Sequence, residues 1–188
     1  MESQPQNQSN SNNFLLLIKT NKKKLVITLF SIILVLFGYF FHLENKENKN
    51  IKISENYNNA KILLSKNKKN EAQLFLIEII NKKNKFYSPS ALNLIIDNSL
   101  ANYDQTLSLF DKVLKIKDLD KEKKNLFRIK KALFISDKEP EIEILNILNP
   151  IINSDSVWRE KAQELMVNYY ISKGQLEKSK QFKIKKKN

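Results

Sequence analysis

From residue 51 onward the apolar residues recur at steps of three and four, and the only breaks are short and polar: KNKKN at 66–70, KKNKFYSPS at 82–90, ANYDQ at 101–105, KDLDKEK at 117–123, SDKEPE at 136–141, NSDS at 153–156 and SKGQ at 172–175. A period near 3.6 residues fits helices that each bury one face, and these breaks delimit eight of them. Only 2 Gly and 4 Pro occur in 188 residues. Sandwiches and barrels need many glycine- and proline-marked corners, so the expected fold is all-α. Pro89 and Pro140 stand at or near the first turn of a helix, Ser88, Ser154 and Ser156 suit N-caps, and Pro150 inside ILNPII should kink or end its helix.

The stretch SVWREKAQELMVNYYISKGQ, residues 156–175, holds the only tryptophan, Trp158, with Arg159 and Gly174. As a helix it puts Trp158, Ala162, Leu165 and Tyr169 on one stripe, widened by Met166 and Tyr170, a face made for burial. Gly174 follows the last periodic residue, where helices commonly end in a left-handed conformation that glycine adopts cheaply. Trp158 therefore reads as a packing anchor between helix pairs and not as a ligand-binding residue.

The formal net charge is +13, and 31 of the 33 basic residues are lysine. Nucleic-acid readers lean on arginine's planar fork and on aromatics interleaved with the cations, and neither is present, so nucleic acid is not an expected partner. No cysteine and one histidine, His42, exclude a disulfide framework, a thiolate nucleophile and any multi-histidine metal centre. No glycine-rich phosphate loop or nucleophile elbow appears, so no enzymatic activity, cofactor or small-molecule substrate is expected. Glu139, Glu141 and Glu143 in EPEIEI could be imagined as an acid pair or metal site. Their alternation reads more simply as a solvated helix start, where negative charge complements the helix dipole.

Toward the N-terminus, residues 25–43 run for 19 positions without a formal charge. A helix of that length spans about 28 Å against a hydrocarbon core of about 30 Å, and it has no polar face, so a transmembrane anchor is expected there. A cleaved signal peptide is the competing reading, since Lys22, Lys23 and Lys24 precede the run, but it leaves through Tyr39, Phe40, Phe41, His42 and Leu43 with no small-residue cleavage pattern. His42 and its aromatic neighbours then belong to an interfacial belt. Lysines near the two ends number four before and three after, which slightly favours an N-terminus in the cytoplasm and, in a bacterium, a periplasmic C-terminal domain. The expected organisation is a short disordered basic tail over 1–24, the anchor over 25–43, and a helical domain over 44–188 ending in a lysine-rich tail.

Eight helices joined by short turns suggest stacked antiparallel pairs. Small or short residues recur at Ala72, Thr106 and Ser179, and Ala72 to Thr106 is 34 positions, the period of the tetratricopeptide unit. Ala60 and Ala72 stand twelve apart, as the two small positions of such a unit should, and Tyr170, Gly174 and Ser179 fall where the last unit places an aromatic, a turn glycine and a small residue. The third pair, residues 121–153, departs at both small positions. KNEAQLFLIEII and VWREKAQELMVNYYISKGQLEKSKQF resemble the bacterial single-span, tetratricopeptide-like proteins related to the ancillary Sec translocon subunit. The resemblance implies an α-solenoid of about four helix pairs behind one membrane span, and an accessory role beside translocon subunits, periplasmic chaperones or exported clients.

Two function classes follow. One is a tethered interaction scaffold offering the surface of a helix stack to a partner protein; the other is a structural, division-associated member of an envelope complex that bridges layers. A cytoplasm-facing nucleic-acid binder stands in reserve, and a C-terminal reporter fusion separates it from both.

Overall fold

In the computed structural model, residues 22–182 are described, and among them the secondary structure is entirely helical. Eight helices follow one another: α1 Lys22–Ser65, α2 Lys69–Asn81, α3 Tyr87–Asp97, α4 Tyr103–Leu114, α5 Lys121–Ile135, α6 Glu141–Ile152, α7 Arg159–Ser172 and α8 Leu176–Gln181. The chain divides into two compact units, Met1–Lys52 and Ile53–Asn188.

In the first unit, α1 begins at Lys22, so Lys22, Lys23 and Lys24 are helical and not part of an irregular tail. From Val26 to Phe41 every side chain is exposed, and the two hydroxyls in the run fold back onto the helix itself: Thr28 Oγ1 donates to the Lys24 carbonyl at 3.0 Å and Ser31 Oγ to Ile27 at 2.9 Å. The expected transmembrane anchor over 25–43 is corrected here. Among the described residues no helix is long and apolar enough to cross a membrane. The side chains of Leu25 and His42 lie outside the described residues. The interfacial place expected for His42 falls outside the description too, as do the tail over 1–21 and the final lysines beyond residue 182.

In the second unit each helix from α2 packs on the next, and α2 also packs on α4 and α5 on α7. Such neighbour-on-neighbour packing is that of an α-solenoid, and it gathers the core in two clusters along the stack. One joins Ala60, Leu76, Ile79, Leu92, Phe110 and Phe127 with their neighbours; the other joins Ala132, Ile144, Leu148, Ala162, Met166 and Tyr170. α5 belongs to both, with Phe127 in the first and Ile129, Ala132 and Ile135 in the second.

The turns explain where the helices stop. Asn67, Ser99 and Gly174 all adopt positive φ, at 58°, 51° and 72°. Behind each, an amide reaches back five residues, Lys68 to Leu63, Leu100 to Ile95 and Gln175 to Tyr170, at 2.9, 2.9 and 2.8 Å. These bonds satisfy carbonyls that the helix end leaves open. Starts are set by side chains: Asn102 accepts from the Gln105 amide, and Asp120 from the amides of Glu122 and Lys123.

The proline and serine expectations are corrected in part. Pro89 lies in the first turn of α3, as expected, and Pro140 is the N-cap of α6. Pro150 sits inside α6, where it withholds the amide that would bond the Asn146 carbonyl, and the helix ends two residues later. Ser88 is no N-cap: it is buried inside α3 and its hydroxyl donates to the Ile79 carbonyl of α2 at 2.8 Å. The cap role beside it belongs to Asn84, whose side chain accepts from the amides of Phe86 and Tyr87.

Candidate interaction surface

The repeat positions come first, because they decide which side chains face outward. Ala60, Ala72 and Ala162 are fully buried, and Thr106 and Ser179 nearly so at 3 % and 2 % exposure. In the third pair the small position is Ala132, fully buried and twelve before the equally buried Ile144. The register there is shifted by four residues, about one helical turn, from a strict 34-residue repeat.

On the stripe of residues 156–175, Ala162, Met166, Tyr169 and Tyr170 are buried and Leu165 is half-buried. Trp158 is not inside the helix. It is the N-cap of α7, its carbonyl accepting the Ala162 amide at 2.9 Å, and its ring packs half-buried against the second cluster. The Ser154 and Ser156 hydroxyls accept from the Ser156 and Trp158 amides, both at 3.2 Å, so they shape the turn that precedes α7. Ser156 does more. Its hydroxyl donates to Glu122 Oε2 at 2.5 Å and accepts from Asn125 Nδ2 at 3.0 Å, while Arg128 Nη1 donates to Asn125 Oδ1 at 2.9 Å. Asn125 and Ser156 are buried, and this network satisfies polar atoms that burial would otherwise penalise.

The glutamates on either side of Pro140 are half-buried and bonded. Tyr103 donates from its hydroxyl to Glu139 at 2.9 Å, with Lys138 Nζ 4.2 Å from the centre of the tyrosine ring. Tyr170 donates to Glu141 at 2.8 Å, and Lys178 Nζ lies 2.9 Å from the same carboxylate. Glu141 and Glu143 stand in the first turn of α6 as expected, Glu143 exposed, and Glu139 and Glu141 in addition make a two-armed clasp: the residue before Pro140 holds α4, and the residue after it holds α7 and α8. Burial, then the bond to Glu139, pushes the Tyr103 phenol up to about 12. Burial, then the bond to Glu141, does the same for Tyr170, to about 12. Lys178 and Tyr170 hold the Glu141 carboxyl below its usual range. Neither glutamate faces its neighbour as an acid pair, and among the described residues no group of three or more His, Cys, Asp or Glu could hold a metal ion.

What faces outward is of two kinds. Large apolar side chains stand exposed at Leu74, Phe86, Leu133, Ile142 and Val157, Val157 at 77 %. Lysines crowd the turns, and Lys121 is paired with Asp155 at 3.0 Å, which lowers the Asp155 carboxyl. Sequence reasoning placed the packing anchors but named none of these outward residues. The signal for Phe86 was available, since it is an aromatic stranded in KKNKFYSPS between two apolar periods. No family model, curated protein or solved structure matches the chain.

Proposed function

We propose that residues 53–182 are a helical-repeat scaffold that acts by holding another protein. The observation that carries this is how the side chains divide. Tyr103, Tyr170, Glu139, Glu141, Asn125 and Ser156, all buried or half-buried, are spent on one another, whereas large apolar groups and lysines are left on the outside of the stack. A framework satisfied internally and apolar externally suits association better than chemistry. Of the architecture implied by the resemblance to translocon-accessory proteins, the repeat half supports this reading; the single-span half is withdrawn. Photo-crosslinking residues placed at Leu74, Leu133 and Ile142 in living source cells test it. Reproducible protein adducts are expected, and a chain that yields none from any of these positions is not an interaction scaffold.

A further inference from the structure

Where α2 and α4 end, cations gather around a bare aromatic ring. Phe86 is 62 % exposed, and Lys85 Nζ and Lys123 Nζ stand 5.2 and 5.8 Å from the centre of its ring. Lys83 precedes them in the same turn, and the bond from Lys112 Nζ to Asn81 Oδ1 at 2.8 Å ties the end of α4 to the end of α2, adding Lys115 and Lys117 to that end of the stack. Among the described residues none of Lys83, Lys85, Lys115, Lys117 and Lys123 is ion-paired. Of the acids near in sequence, Glu78 pairs with Lys82, Asp120 accepts from the amides of α5 and Glu122 binds Ser156, while Asp118, next to Lys117, makes none of these bonds.

Lysines after a helix C-terminus have a local reason to exist, because they complement the negative end of the dipole. That accounts for Lys83 and Lys115. It fails for Lys123, which lies in the first turn of α5, where the dipole disfavours a cation. It fails for Phe86 as well, whose ring is left in water. A chain breaks such local rules where something other than its own fold uses the residues.

We infer that the turn between α2 and α3, with the start of α5, is a docking site for an acidic segment of a partner protein carrying an apolar side chain beside its carboxylates. The carboxylates would meet the unpaired ammonium groups and the apolar side chain would cover Phe86. Charge complementarity selects this occupant over a neutral one, and the aromatic at the centre favours a peptide side chain over a bare anion. The inference rests on the scaffold reading and specifies its partner.

The test uses the full chain. A fluorescein-labelled decapeptide alternating Glu with Leu and Phe is titrated by anisotropy, with a Lys-for-Glu version as control. K85E/K123E is expected to weaken binding by about tenfold or more and Phe86→Ala by several-fold, while Lys66→Glu and Lys69→Glu, on the turn between α1 and α2, leave it unchanged. Lys66, Lys69, Lys85 and Phe86 are exposed and Lys123 is half-buried, and unchanged circular dichroism checks that each variant folds. Equal binding by K85E/K123E overturns the inference, as does tighter binding of an oligonucleotide or of anionic vesicles at the same lysines. In source cells a photo-crosslinker at position 86 should give adducts on acidic peptides that K85E/K123E abolishes. Adducts from positions 133 and 142 but not 86 sink the inference and leave the scaffold reading standing; none from any position sinks the scaffold reading itself.

Discussion

At the scale of single residues, three helix ends show what a glycine-poor chain does when it must turn. Gly174 takes φ 72° with nothing within 4 Å of where a Cβ would stand, whereas Asn67 and Ser99 take the same left-handed region with a side chain attached. Each such residue costs about 1–2 kcal/mol relative to glycine in the folded state, and glycine gives back about 0.4–1 kcal/mol through the freer unfolded chain. Ser99→Gly should therefore stabilise the protein by about 0.5–1 kcal/mol, and Gly174→Ala should destabilise it by a similar amount; urea midpoints measure both. A destabilised Ser99→Gly means that its side chain relieves the turn in a way the backbone geometry does not show. Burial grades the aromatics on the same scale. Phe110 is fully buried and Trp158 half-buried, so Phe110→Ala should cost about 3–5 kcal/mol and Trp158→Ala about 2 kcal/mol.

At the scale of elements, the Pro140 clasp makes the junction of α6 with α4, α7 and α8 sensitive to pH at both extremes. Glu141 is held below its usual range, so its contribution is present above the unfolded value near 4.3 and is lost as pH falls through the lower folded value. Tyr170 is raised to about 12, so the folded state keeps its proton where the unfolded chain loses it, and stability falls as pH rises from about 10 to 12. Tyr170→Phe should cost about 1 kcal/mol at neutral pH, since a hydroxyl–carboxylate bond is lost at a partly exposed glutamate, and should flatten the alkaline limb. Chemical denaturation from pH 3 to 11 reads both, and an alkaline limb unchanged in Tyr170→Phe would show that other groups produce it. None of this was legible in the sequence. The partners of the clasp lie 36 and 29 residues apart, and alternation in EPEIEI carries no trace of which neighbour each acid will find. The helices themselves were legible, because period and polar breaks are local. Starts set by Asn102 and Asp120 were hidden inside the polar breaks, and the small positions of the third pair were not found because a fixed 34-residue step cannot follow a register shifted by four residues. Trp158 was placed one turn too deep for a related reason: the apolar period continues across the start of α7, while the hydrogen-bonded helix does not.

At the scale of the whole molecule, the two core clusters meet in α5, and the aromatic contacts there bind them. Phe134 stacks on Tyr103 at 5.2 Å and tilts against Phe110 at 5.7 Å, so one side chain of α5 touches α4 from two directions. A stack of this kind is stabilised by each pair and by its interfaces with the next, so damage in one cluster should spread only as far as those interfaces carry it. Leu148 is fully buried in the second cluster, and Leu148→Ala should cost about 2–5 kcal/mol. Native-state hydrogen exchange should then show amides of α6 and α7 losing most of that protection, α5 losing an intermediate share, and α2 and α3 losing little. If the Phe134 contacts are what couple the halves, Phe134→Leu should sharpen this contrast by lowering protection in α5 while leaving α2 unchanged. A uniform loss along all the helices would mean that the second unit opens as one cooperative body, and that the division of its core has no energetic counterpart.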